Sequence, residues 1–104
     1  MAFNGTEGNP IDPEKAGEWT RNYRQVEPGG IHAHFFGRDI LLNLLGQAGA
    51  QGIRFYYGLD GQTPQLIAVA ADTAENDQLG EYFIVANKTL PHPPNASQPN
   101  ILNS

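Results

Sequence analysis

Hydrophobic and polar positions alternate along the chain with two different periods. Ala16, Trp19, Tyr23 and Val26 recur at i, i+3, i+7 and i+10, which predicts a helix over 13–26 with one narrow apolar stripe. Asp12 is placed to accept from the free N–H groups at its start, and Pro13 suits the first helical position. Pro28-Gly29-Gly30 ends it, and Gly17 weakens its middle by about 1 kcal/mol relative to alanine. Residues 31–36 then alternate as a short strand, with Ile31, Ala33 and Phe35 on one face and His32 and His34 on the other. A single helix over 32–45 is the rival reading, disfavoured by Gly37 and the β-type residues before it.

A second helix is predicted over 38–47. Asp39 sits in its first turn, Ile40, Leu41, Leu44 and Leu45 cover one broad side, and Gly46, Gly49 and Gly52 mark the exit. Residues 53–57 alternate again, Asp60-Gly61 supplies a turn, and 66–71 return as the second arm of a hairpin with a wide connection over 58–65. Ile53, Phe55 and Tyr57 should face the helices, with Arg54 and Tyr56 on the opposite side. The return arm is apolar on both faces, the mark of a central strand or one whose second face is covered. A polar loop over 72–80 leads to a last strand over 82–86.

These elements predict an α+β fold: an antiparallel sheet of three or four strands with two helices packed on one face. The whole chain, 1–104, is expected to form a single domain, with an irregular lead (1–11), a structured body (12–90) and an irregular tail (91–104). Six of the eight prolines fall in the first 13 residues or in 91–99, which sets those limits. The tail carries no charged residue and ends in Ile101-Leu102, so it is expected to dock on this chain or on a neighbouring subunit. The tails or a second subunit are the candidates to cover the sheet's second face.

Composition narrows the chemistry. The 104 residues contain no cysteine, which removes disulfides, zinc–thiolate sites, iron–sulfur clusters and cysteine nucleophiles. Eleven acidic against six basic residues give a formal charge of −5, unfavourable for nucleic acid or an anionic membrane. No apolar run reaches the length of a membrane span, and the first residues lack the basic and apolar regions of an export signal, so a soluble cytoplasmic protein is expected. The only serines, Ser97 and Ser104, lie in the tail, and no nucleophile elbow is present. Asp72, Glu75 and Asp77 share one polar loop, which reads more simply as a solvated turn than as a catalytic carboxylate pair. The glycines at 46, 49 and 52 leave a helix instead of opening one, the wrong end for a phosphate cradle.

Two groups of side chains remain. His32 and His34 project from one strand face, but two ligands do not hold a metal, and a third would have to come from His92, Asp39, Asp60 or Asp72. Arg54 and Tyr56 share the sheet face away from the helices, where they either bind an acidic or planar partner or pair with Asp72 or Asp77.

Phe36-Gly37-Arg38-Asp39-Ile40-Leu41 with Leu44-Leu45, Gly52-Ile53-Arg54-Phe55-Tyr56-Tyr57-Gly58 and the apolar strand ending at Asp72 together resemble a family of small uncharacterised bacterial proteins. Its pattern is F-G-[KR]-x-x-[IL], then G-[IVM]-R-[IFV]-Y-[YF], then an apolar strand closed by Asp; the likeness spans about residues 31–77. The family has no established activity, so the resemblance implies no substrate, cofactor or site residue. Some relatives carry cysteines before the strand glycine and near the C-terminus; Ala50 and Gln51 occupy the first place here.

The expectation is a non-catalytic binding or assembly module that self-associates or docks a protein partner through the sheet face and tails, with no cofactor and no metal. The alternative is a small enzyme or ligand- or metal-binding protein with a polar site around His32, His34, Arg54 and the 72–77 loop.

Overall fold

The computed structural model describes residues 2–95 and 97–103. They form two compact units, each built from two stretches of chain. Unit one combines the lead up to Glu7 with Phe36–Thr89, and unit two combines Gly8–Phe35 with the segment from Leu90 onward. The architecture is α+β with antiparallel pairing throughout.

Unit one contains helix α2 (Arg38–Leu45) and a sheet of three strands, β2 (Gly52–Asp60), β3 (Thr63–Ala71) and β4 (Val85–Ala86), in the order β2-β3-β4. The β2–β3 register runs without a bulge from Gly52↔Ala71 to Asp60↔Thr63. The connection is therefore the two residues Gly61-Gln62, tighter than the wide loop expected over 58–65. Gly61 has φ +62° while Gln62 stays at ordinary φ, the pattern of a turn that matches strand twist and lets pairing continue to the tip. Pro64 is accommodated in β3 because its missing N–H lies on the edge away from β2, beyond the Ala68–Val69 stretch that β4 pairs. The last strand is shorter than the expected 82–86, since Tyr82 and Phe83 lie in a turn closed by Phe83 N on Gly80 O at 3.2 Å.

The two sheet faces divide as the alternation implies. Ile53 and Phe55 lie with Ala68, Ala70 and Ala86 under α2, where Leu44 is wholly buried and Phe36, Ile40 and Ala50 pack around it. Alanines on β3 let the helix approach closely, and Leu44 is the one large side chain wholly buried among the described residues. Tyr57, expected to face the helices, has that register but is 95% exposed, because it lies beyond the eight-residue α2. The second face carries Arg54, Tyr56, Ile67, Val69 and Ala71, and its inner half is covered by Phe3 and the 72–78 loop. Phe3 N donates to Thr73 O, and Ala71 bridges Asp77.

Unit two contains helix α1 (Pro13–Val26) and a two-stranded ribbon of β1 (Ala33–Phe35) with β5 (Leu90–His92). Asp12 caps α1 through Oδ1, which accepts from Glu14 N. The tail, expected to be irregular, thus contributes a strand, pairing Ala33 with His92 and Phe35 with Leu90. It then seats on α1, where Arg24 Nη1 donates to Leu102 O at 2.6 Å and Ile101 lies over Gly17. The buried face of α1 is accordingly Gly17 with Thr20 and Arg24. Of the predicted stripe, Ala16 is half-buried while Trp19, Tyr23 and Val26 are exposed, because the tail binds the neighbouring face. No helix of the described residues is long and apolar enough to cross a membrane.

Candidate functional site

Strand alternation places Arg54 and Tyr56 two residues apart on the second face of β2, opposite Val69 and Ile67. The loop after β3 brings a carboxylate to both of them. Asp72 shapes that loop: its Oδ1 accepts from Ala74 N and Asn76 N, and Asn76 O accepts from Asp72 N. Glu75, at φ +70°, takes the left-handed conformation that reverses the chain, so that Asp77 returns beside Ala71.

Asp77 then holds two donors. Arg54 Nη1 donates to its Oδ1 and the Tyr56 hydroxyl donates to its Oδ2, each at 2.5 Å. Arg54 also donates from Nη1 and Nη2 to Glu75 O at 3.4 Å, and the Phe3 ring lies 5.3 Å from the guanidinium carbon. The hydrogen bond it donates to Asp77 holds the proton on Arg54 more firmly still. Each oxygen of the Asp77 carboxylate is thus engaged, one by an arginine and the other by a phenol. The cluster is a polar brace that ties β2 to the 72–78 loop and leaves the Tyr56 ring half-exposed on the sheet.

Of the six residues singled out in the sequence, Arg54, Tyr56 and Asp77 therefore meet. Asp72 belongs to the same loop but serves the turn itself. His32 and His34 take no part in this cluster and lie in unit two. There His32 N donates to His92 O at 2.9 Å, and the two rings stack at 4.4 Å between centroids, tilted by 50°. Among the described residues neither ring nitrogen of His92 has a hydrogen-bond partner, although both are buried. His34 and His92 line an open depression of about 500 Å³ with Asn95 and Ser97. Burial lowers the His32 pKa, and repulsion from His92 and Arg24 lowers it further; burial alone lowers that of His34. Among the described residues no group of three His, Asp or Glu is disposed to hold a metal ion.

Two participants were not singled out as site residues. Phe3 is the one aromatic of residues 1–11, a weak signal, and His92 enters the sequence reading only as a possible third ligand. Both act through contacts between stretches of chain far apart in sequence, which no local period announces.

No protein-family model matches this chain, and no curated protein or solved structure matches it significantly.

Proposed function

We propose that the protein is a non-catalytic assembly module that associates with itself through the hairpin and sheet of unit one, in a soluble, cytoplasmic setting. The observation that supports this reading is the distribution of large apolar side chains. The interior is lined mainly by alanine around Leu44, whereas Tyr57 and Leu59, on the same hairpin, are 95% and 73% exposed. Contiguous exposed apolar surface on a rigid element is the mark of a contact surface. The Arg54–Asp77–Tyr56 brace adds rigidity behind it, and rigid platforms bind with less loss of conformational freedom.

Docking of a different protein on the same surface is the second choice. The polar-site reading around His32, His34, Arg54 and the 72–77 loop has less support. Asp77 already holds Arg54 and Tyr56, and Asp72 ties its own loop. Light scattering over a concentration series tests self-association. A dimer or larger species is expected, and a strict monomer up to several hundred micromolar overturns it.

A further inference from the structure

We propose that a second copy of this chain pairs with β2 along its free edge, antiparallel, with the two-fold axis at Tyr57. The inference rests on the self-association reading above and specifies its geometry.

Among the described residues β2 has one strand neighbour, β3, so no strand pairs with its other edge. Hydrogen bonds identify the backbone groups on that edge. Ala70 O accepts from Gln78 N and Leu66 O accepts from Asn87 Nδ2, so the even-numbered residues of β3 point away from β2. Gln65, Ile67 and Val69 therefore point toward it and meet Gly58, Tyr56 and Arg54. Successive strand residues turn their backbone groups to opposite edges, which leaves Ile53, Phe55, Tyr57 and Leu59 presenting N–H and C=O outward. This is a nine-residue strand with no proline, no lysine and no bulge. Sheets that remain single protect such an edge.

Charge and side-chain pairing select the register. Arg54 and Asp60 are the only charged residues of β2, and they stand three positions either side of Tyr57. An antiparallel pair centred on Tyr57 sets Arg54 of each copy, whose Nη1 already rests on Asp77, opposite Asp60 of the other. The same register sets Phe55 opposite Leu59 and Tyr57 opposite itself, matching the three exposed apolar residues of this face to one another. It also pairs odd-numbered with odd-numbered residues, as the outward backbone groups require. Sliding by two residues keeps that parity but sets Arg54 against Gly58 or Gln62 and loses the charge match.

The test uses the natural absence of cysteine. Cα atoms of directly opposed, hydrogen-bonded strand residues lie about 5.5 Å apart, within disulfide reach. Tyr57→Cys, the only thiol in that variant, should crosslink as a dimer under mild oxidation. Val85→Cys, on the opposite edge of the sheet, should not. Tyr57→Pro removes an N–H that β3 does not use, and should raise the dimer dissociation constant about tenfold or more while leaving the circular dichroism of the fold. If Tyr57→Pro loses that spectrum, Asp60→Lys at the exposed turn reads the same contact and should weaken association by about threefold or more. A dimer that crosslinks through position 85 and not 57, or that is indifferent to both Tyr57→Pro and Asp60→Lys, overturns the β2 pairing while self-association stands. A wild-type chain that stays monomeric throughout overturns both.

Discussion

A methyl group at position 17 would lie 2.7 Å from both the Cγ1 and the carbonyl oxygen of Ile101, closer than real side chains come. Glycine in mid-helix costs about 1 kcal/mol of propensity, and here the tail occupies the space that a side chain would fill. Gly17→Ala should therefore favour the helix and displace the tail. Nuclear Overhauser contacts between the Ile101 methyls and α1 should vanish; their survival would mean that the tail is seated another way. Position 44 makes the opposite case. Leu44→Ala should cost about 2–5 kcal/mol in urea unfolding, since its side chain is wholly buried among alanines that cannot move in to fill the gap. Phe55, expected from its alternation to be a core ring, is 45% exposed and packs against Phe36 with centroids 5.5 Å apart and the rings tilted by 57°. Phe55→Ala should accordingly cost about 1–2 kcal/mol, and a loss as large as that at Leu44 would mean the ring is buried in solution.

Among the elements, the β1–β5 ribbon has its own pH dependence. His32 and His34 bind protons less readily in the folded protein than at the ordinary histidine value of 6.5. The unfolded chain then holds more protons as pH falls below about 6.5, so stability is present above that pH and is lost as pH drops toward the lowered folded values. Trp19, the sole tryptophan, lies on α1 in the same unit and reports on it. The urea midpoint of its fluorescence should fall between pH 7.5 and 5.5, and the double variant His32→Gln, His34→Gln should flatten that slope. An unchanged slope would place the titration elsewhere. The elements themselves were largely legible. Asp12-Pro13 and Pro28-Gly29-Gly30 bound α1 because capping and φ restriction are local, and the alternation over 53–57 and 66–71 set the hairpin and its facing. What escaped depended on distant partners. The outward stripe of α1 follows from the tail at Ile101, and β5 follows from pairing with residues 55 or more positions earlier. The Arg54–Asp77 pair was readable as one of two options, whereas Phe3 over Arg54 was not, since nothing local ties residue 3 to a strand.

On the scale of the whole molecule, self-association couples stability to concentration. A partner that binds the folded chain and not the unfolded one raises the melting temperature by mass action. A tenfold increase in protein should raise it by about 3–5 °C in a differential scanning series, and a concentration-independent melting temperature would count against assembly. Moderate salt should assist, because each copy carries a net charge of −5 and screening reduces the repulsion between them.

The alanines of β3 have one more consequence. Heat capacity rises on unfolding in proportion to the hydrocarbon newly wetted, and methyl groups offer little of it. A lone chain of this kind gains little from warming out of the cold and loses little on cooling; its free-energy curve against temperature is a low, broad arch. The curvature familiar from well-filled proteins would appear only once copies have joined, as tyrosine, leucine and phenylalanine leave the solvent together.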